Sequence, residues 1–124
     1  MRSAWMLAAL LSLSAGALPA QERASESRDP LVREYGLAVQ RAILERWTRP
    51  ESVAEGQRCV LAVTQLPGGI VVSVMATPDC EYDAIGKRSI ETAVLKAQPL
   101  PYEGYERVFQ RRLNLVFVVK DPAL

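Results

Sequence analysis

Residues 59–77 read CVLAVTQLPGGIVVSVMAT, and this stretch decides the fold. Its two halves, Cys59 to Leu66 and Ile70 to Thr77, are rich in β-branched and apolar residues, and Pro67-Gly68-Gly69 divides them. Two such runs around a Pro-Gly turn predict a β-hairpin. The glycines supply the positive φ that a tight turn demands. Pairing centred on the turn sets Leu66 opposite Ile70, Ala62 opposite Val74, and Cys59 opposite Thr77 or its neighbour. Pro78 and Asp79 then turn the chain, which brings Cys80 back toward Cys59 at the open end of the hairpin.

Outward from the hairpin the pattern changes period. Upstream, Asp29-Pro30 has the form of a helix start, with Asp29 as N-cap and Pro30 at the first helical position, where its missing N–H is not needed. Leu31, Tyr35, Ala38, Val39, Ala42, Ile43 and Trp47 recur at steps of three and four, while Arg33, Glu34, Gln40, Arg41, Glu45 and Arg46 take the other faces. This is a surface helix packed by one side on a core. Pro50 prevents its continuation, and residues 51–57 read as a polar loop. Downstream, Asp83 to Ala97 predicts a second amphipathic helix with Gly86, Ile90, Ala93, Val94 and Ala97 inward and Lys87, Arg88, Glu91 and Lys96 elsewhere. Pro99 and Pro101 stop it, Tyr105 to Arg112 reads as one or two helical turns, and Leu113 to Lys120 (LNLVFVVK) as a third strand. The order helix, strand, strand, helix, strand predicts an α+β fold: a three-stranded antiparallel sheet with two main helices packed on one face.

The start of the chain follows another plan. Arg2 is its one early charge, an apolar run spans Ala4 to Leu13, and small residues follow at Ser14, Ala15, Gly16, Ala17 and Ala20. A basic start, a short apolar middle and a small-residue exit predict a secretory signal over residues 1–20, cleaved after Ala17 or Ala20. The apolar run is shorter than the roughly 20 residues that span a bilayer. Residues 21–30 read as a polar tether ending in the helix-start signal, and 31–124 as one domain. Lys and Arg number 15 against 14 Asp and Glu; removing residues 1–20 takes away Arg2 and no acid, leaving 14 of each sign. No global field recruits nucleic acid or anionic lipid.

In an exported chain, two cysteines and no others point to a Cys59–Cys80 bridge. With no His in 124 residues, two thiolates cannot complete a zinc shell, and Ser-His-Asp and Cys-His catalysis are excluded. The spacing is far from Cys-x-x-Cys. Gly68-Gly69 is not followed by a phosphate-binding pattern. Two carboxylate pairs remain, Glu81 with Asp83 and Glu103 with Glu106, which suit a helix start and a solvated loop better than an acid-base site. Arg107, Arg111 and Arg112 form a small solvated basic cluster. No enzyme activity, metal or cofactor is expected.

The run Tyr35, Trp47, Pro50, then Cys59-Val60, Leu66-Pro67-Gly68-Gly69 and Val74, then Arg88-Ser89-Ile90-Glu91, Ala93-Val94, Ala97, Pro99-Leu100-Pro101, and finally Phe109, Leu113 and Phe117, resembles the C-terminal domain of TolA, within the TonB-like C-terminal group. The match extends over roughly Leu31 to Asp121. Its most specific elements are the Leu-Pro-Gly-Gly turn, the segment Lys96 to Pro101 and the pair of cysteines.

The resemblance implies a periplasmic protein-binding adaptor of the Tol-Pal system, which maintains envelope integrity and serves protein transport. The partners it implies are TolB-like or other Tol-Pal components, with phage coat proteins and colicins as further ligands of such domains, and no nucleic acid. Full-length members carry a transmembrane helix and a long helical spacer before this domain. This sequence has a cleavable signal there, so a free-standing module without a stable membrane anchor is expected. In domains of this kind the third strand is a sheet edge, and an open edge accepts a partner strand. The expected docking strand is therefore Leu113, Asn114, Leu115, Val116, Phe117, Val118, Val119 and Lys120, with Leu113, Leu115, Phe117 and Val119 on one face. Two alternatives are a secreted inhibitor that presents the loop Leu100 to Tyr105 and a TonB-like transport accessory module.

Overall fold

The computed structural model describes residues 29–120; the expected signal and the first part of the tether, residues 21–28, lie outside the described residues. Helix α1 spans Pro30–Leu44, strand β1 Arg58–Leu66, strand β2 Ile70–Ala76, helix α2 Ala84–Ala97 and strand β3 Arg112–Val118, with a 3-10 turn at Glu106–Val108 before β3. The sheet is antiparallel in the order β2-β1-β3, so the chain's first strand is its central one.

Both helices begin where the sequence places them. The Asp29 carboxylate accepts from the Leu31 N–H at 2.9 Å, and Asp83 does the same for Gly86 at 2.8 Å, each satisfying an otherwise orphaned donor. From α1, Tyr35, Val39 and Ile43 are buried; from α2, Gly86, Ile90, Ala93 and Val94. These meet the inward face of the sheet, Cys59, Leu61 and Val63 of β1 with Leu113, Leu115 and Phe117 of β3. Burying a Leu, Ile or Phe contributes about 2 kcal/mol, so this layer is the main source of stability.

Cys59 and Cys80 are disulfide-bonded across 21 residues of sequence, as expected. In the chain-entropy account, closing a loop of that length stabilises the fold by about 3 kcal/mol.

The hairpin register departs from the expectation by one residue. Leu66 pairs with Ile70 as expected, but Ala62 lies opposite Met75 and Val63 opposite Val74, because the ladder shifts between Thr64 and Gln65. Gln65 pairs with Val71 and Thr64 with Ser73, which leaves Val72 as an extra residue in β2. A bulge of this kind has no signature in a run of valines.

The loop 51–57 is less polar in place than in sequence: Val53 is buried beneath Gly86, where any Cβ would strike Val53 and Tyr82. Trp47 lies past the end of α1 but remains half-buried, stacked on Tyr82 at 5.9 Å. Gln65 is the buried polar residue of the core, and its amide donates to the Tyr35 hydroxyl at 2.7 Å and to the Gln110 carbonyl at 2.8 Å. That pair of bonds ties α1 to the lead-in of β3. Among the described residues no helix is long and apolar enough to cross a membrane.

Candidate functional site

A central β1 leaves two edges, β2 and β3, and the structure treats them differently. Gln65 N–H donates to Arg111 C=O, and Val119 N–H to Gln57 C=O, so the odd-numbered residues from 111 to 119 direct their main-chain groups at β1. The even-numbered ones, Arg112, Asn114, Val116 and Val118, therefore direct theirs outward. Among the described residues the N–H groups of Asn114, Val116 and Val118 meet no acceptor beyond the sheet. Among the described residues the one contact along this row is the Gln40 side-chain amide of α1, which donates to Val116 C=O at 2.8 Å.

The β2 edge is covered at both of its ends, with the outward Val74 N–H between them meeting no acceptor among the described residues. Thr77 N–H donates to Val60 C=O, so Ser73, Met75 and Thr77 face β1 and Val74 and Ala76 face outward. The outward Ala76 N–H donates to the Glu91 carboxylate at 2.8 Å, and that of Val71, past the bulge, to Gln98 Oε1 at 2.9 Å. Both acceptors lie on α2 or just past its end, so the helix that packs behind β2 also covers its edge. The bulge at Val72 breaks the row between them. This is how proteins blunt an edge they do not use.

The expected docking strand Leu113 to Lys120 thus falls on an edge, with a corrected length: the strand runs Arg112–Val118, and Val119 and Lys120 follow it. The expected faces are found, with Leu113, Leu115, Phe117 and Val119 buried and Asn114, Val116, Val118 and Lys120 exposed. Beside this edge α1 sets Leu37 and Leu44 at 51% and 47% exposure, one turn to either side of Gln40. Val118, 48% exposed, lies on the solvent face of the sheet, opposite Arg58 in the ladder.

The hairpin turn is also held from α2's side. Gly68 and Gly69 have φ of 94° and 83°, and a Cβ on Gly69 would collide with the main chain of Leu100. Leu100 N–H donates to Gly69 C=O at 2.8 Å. The two segments that carry the sequence resemblance most specifically, Leu66 to Gly69 and Lys96 to Pro101, are therefore one packed unit.

The remaining candidates are absorbed by structure. Glu81 accepts from Arg58 N–H, Asp83 caps α2, and Glu106 accepts from Gly104 N–H, so three of the four carboxylates serve main-chain donors. The Gly86 N–H, helped by the Ser52 hydroxyl, holds the Asp83 carboxyl below its usual range. Arg107 is drawn out of the expected basic cluster into an ion pair with Asp29 at 2.7 Å. The loop Leu100 to Tyr105, which the inhibitor alternative needs free, is held along most of its length. Leu100 is buried, Tyr102 packs edge-on against Phe109 at 5.2 Å, and Tyr105 lies 5.4 Å from Tyr35, so the loop is packed down at both ends and exposed only at Glu103 and Gly104. Gln40, Glu91 and Gln98, which decide the character of the two edges, carry no signal in the sequence beyond being polar residues on helices.

No protein-family model and no curated protein matches this sequence. Among solved structures the chain is similar to "TolAIII Bound to a Peptide Derived from the N-terminus of TolB", at 20% identity and a TM-score of 0.57, over 72% of this chain and 75% of that one. The chain has the α+β fold of that domain; here the fold comprises a three-stranded antiparallel sheet, two helices and one disulfide.

Proposed function

We propose that this chain is a non-enzymatic protein-binding module of the bacterial envelope, exported by its N-terminal signal, that takes up an extended segment of a TolB-like partner along β3. The observation that carries the reading is the inequality of the two edges among the described residues: on β2, Glu91 and Gln98 take two of the outward N–H groups and a bulge interrupts the row, whereas on β3 Gln40 alone occupies the edge. An added strand finds three N–H donors spaced two residues apart, which give affinity without sequence information. Specificity comes from side chains. Those of one parity lie over the sheet's solvent face near Val116 and Val118, and those of the other over Leu37 and Leu44, so the favoured segment is apolar at alternate positions. The disulfide and the peptide-bound TolAIII neighbour support the envelope setting and the choice of a TolB-type ligand.

The experiment is titration of the full chain with a peptide from the TolB N-terminus, using proline on each edge. Val116→Pro removes an outward N–H and no internal bond, and is expected to weaken binding at least tenfold with the thermal transition near wild type. Val74→Pro makes the same change on β2 and is expected to leave binding unaltered. The opposite ranking, or binding indifferent to both, overturns the proposal.

A further inference from the structure

The sequence as a whole is nearly neutral, with 15 basic and 14 acidic residues. The fold does not spread them evenly. Where the chain leaving α1 passes the outer face of α2, a cleft of about 330 Å³ is lined by Arg46, Arg88 and Lys96, and no carboxylate lines it. Arg88, Thr92 and Lys96 succeed one another at four-residue steps, so they form one stripe along α2, its ends about 12 Å apart at 1.5 Å per residue. Arg46 closes the cleft from the other side. Among the described residues none of the three cations has a carboxylate partner, and the ion pair is Arg107–Asp29.

The wall behind them is fixed. The Trp47 indole N–H donates to Ser89 Oγ at 2.9 Å, that hydroxyl reaches Thr48 C=O at 3.4 Å, and the ring is stacked on Tyr82 with 10° between planes. The three cations are exposed side chains at the rim of this cleft, and like charges gathered there repel one another until an anion enters. A single carboxylate would leave the site with two uncompensated charges. A phosphate monoester or diphosphate balances more of the charge, and its oxygens match the paired N–H groups of arginine, with Lys96 as a point charge.

We propose that this cleft is a binding site for a phosphate monoester or diphosphate group, separate from the β3 edge and independent of what docks there. Such a group could belong to a soluble phosphorylated molecule or to a lipid headgroup, and the experiment separates them.

The full chain is titrated with inorganic pyrophosphate at a constant ionic strength of about 0.15 M, followed by amide and indole resonances in two-dimensional NMR. Saturable shifts confined to the Trp47 indole N–H, Thr48, Ser89 and Thr92, with an apparent Kd below about 1 mM, are expected. Arg88→Glu with Lys96→Glu is expected to weaken binding at least tenfold, Arg46→Gln about threefold, and Arg33→Glu, outside the cleft, not at all. In a second arm the chain is sedimented with vesicles containing phosphatidic acid or phosphatidylcholine alone. Retention on phosphatidic acid that the double reversal removes assigns the headgroup; pyrophosphate binding without it assigns a soluble source. Shifts that do not saturate, that spread over basic residues at large, or that survive both the double reversal and Arg46→Gln overturn the proposal.

Discussion

The side-chain amide of Gln40 donates to the main-chain oxygen of Val116 at 2.8 Å, so the middle of the β3 edge is occupied by a helix side chain where a neighbouring strand would sit. Leu37 and Leu44 flank the same residue on α1. An incoming strand that pairs with Val116 must displace this bond.

Gln40→Ala is therefore expected to strengthen binding of the TolB N-terminal peptide by about threefold to tenfold, the equivalent of one ordinary hydrogen bond no longer broken. Because the bond is exposed, the free protein should lose less than about 1 kcal/mol. Calorimetric titration checks the first and thermal melting the second. Weaker binding would mean that Gln40 engages the partner rather than competing with it.

The covered edge has its own prediction. Glu91 and Gln98 accept from Ala76 and Val71, and replacing both by Ala leaves two outward N–H groups bare. The double variant should exchange the amide hydrogens of Val71 and Ala76 faster, lose about 1 kcal/mol per bond, and associate with itself in a concentration-dependent way. Light scattering over a concentration series and site-resolved exchange provide the readouts.

Much of this was legible in the sequence, and the reasons are specific. Leu61, Ile90 and Phe117 lie where periodicity puts them, because a two-residue or 3.6-residue repeat maps directly onto a buried face. Asp29 and Asp83 cap helices because a short acid before a helix start has few better options. The bulge at Val72 was not legible, since three consecutive β-branched residues look alike whichever one is left unpaired. The burial of Val53 was hidden by its polar neighbours. The edge itself could be inferred from topology, but its openness depends on Gln40, Glu91 and Gln98, whose partners are 76, 15 and 27 residues away. The same holds for Arg46 and Arg88, which sequence reading leaves as unrelated surface charges.

Two buried tyrosines should respond in opposite ways to loss of a hydroxyl. Burial raises the pKa of both, but Tyr35 shares its oxygen with Gln65 whereas the Tyr82 oxygen has no partner among the described residues. Tyr82→Phe is expected to be neutral or stabilising by up to about 1 kcal/mol, and Tyr35→Phe to cost about 1–3 kcal/mol by stranding one of the two Gln65 amide N–H groups, the other keeping its bond to Gln110 C=O. Chemical denaturation of the two variants decides it.

Acid should loosen the helix starts first. The Arg107 guanidinium, then the Leu31 N–H, hold the Asp29 carboxyl below its usual 3.8, and the Gly86 N–H does so for Asp83. A carboxyl whose folded pKa is lowered contributes stability that is present above its unfolded value and lost as pH falls through the folded one, so the loss belongs below about pH 4. Thermal midpoints should decline there, and Asp29→Asn with Asp83→Asn should flatten that limb while leaving caps able to accept the same N–H groups.

Site-resolved amide hydrogen exchange of the full chain, with and without saturating TolB N-terminal peptide, tests the central claim most directly. Slower exchange at Asn114, Val116 and Val118, with Val74 unchanged, is the predicted result. Protection at Val74 instead, or none at the three β3 amides when the peptide is bound, would contradict it.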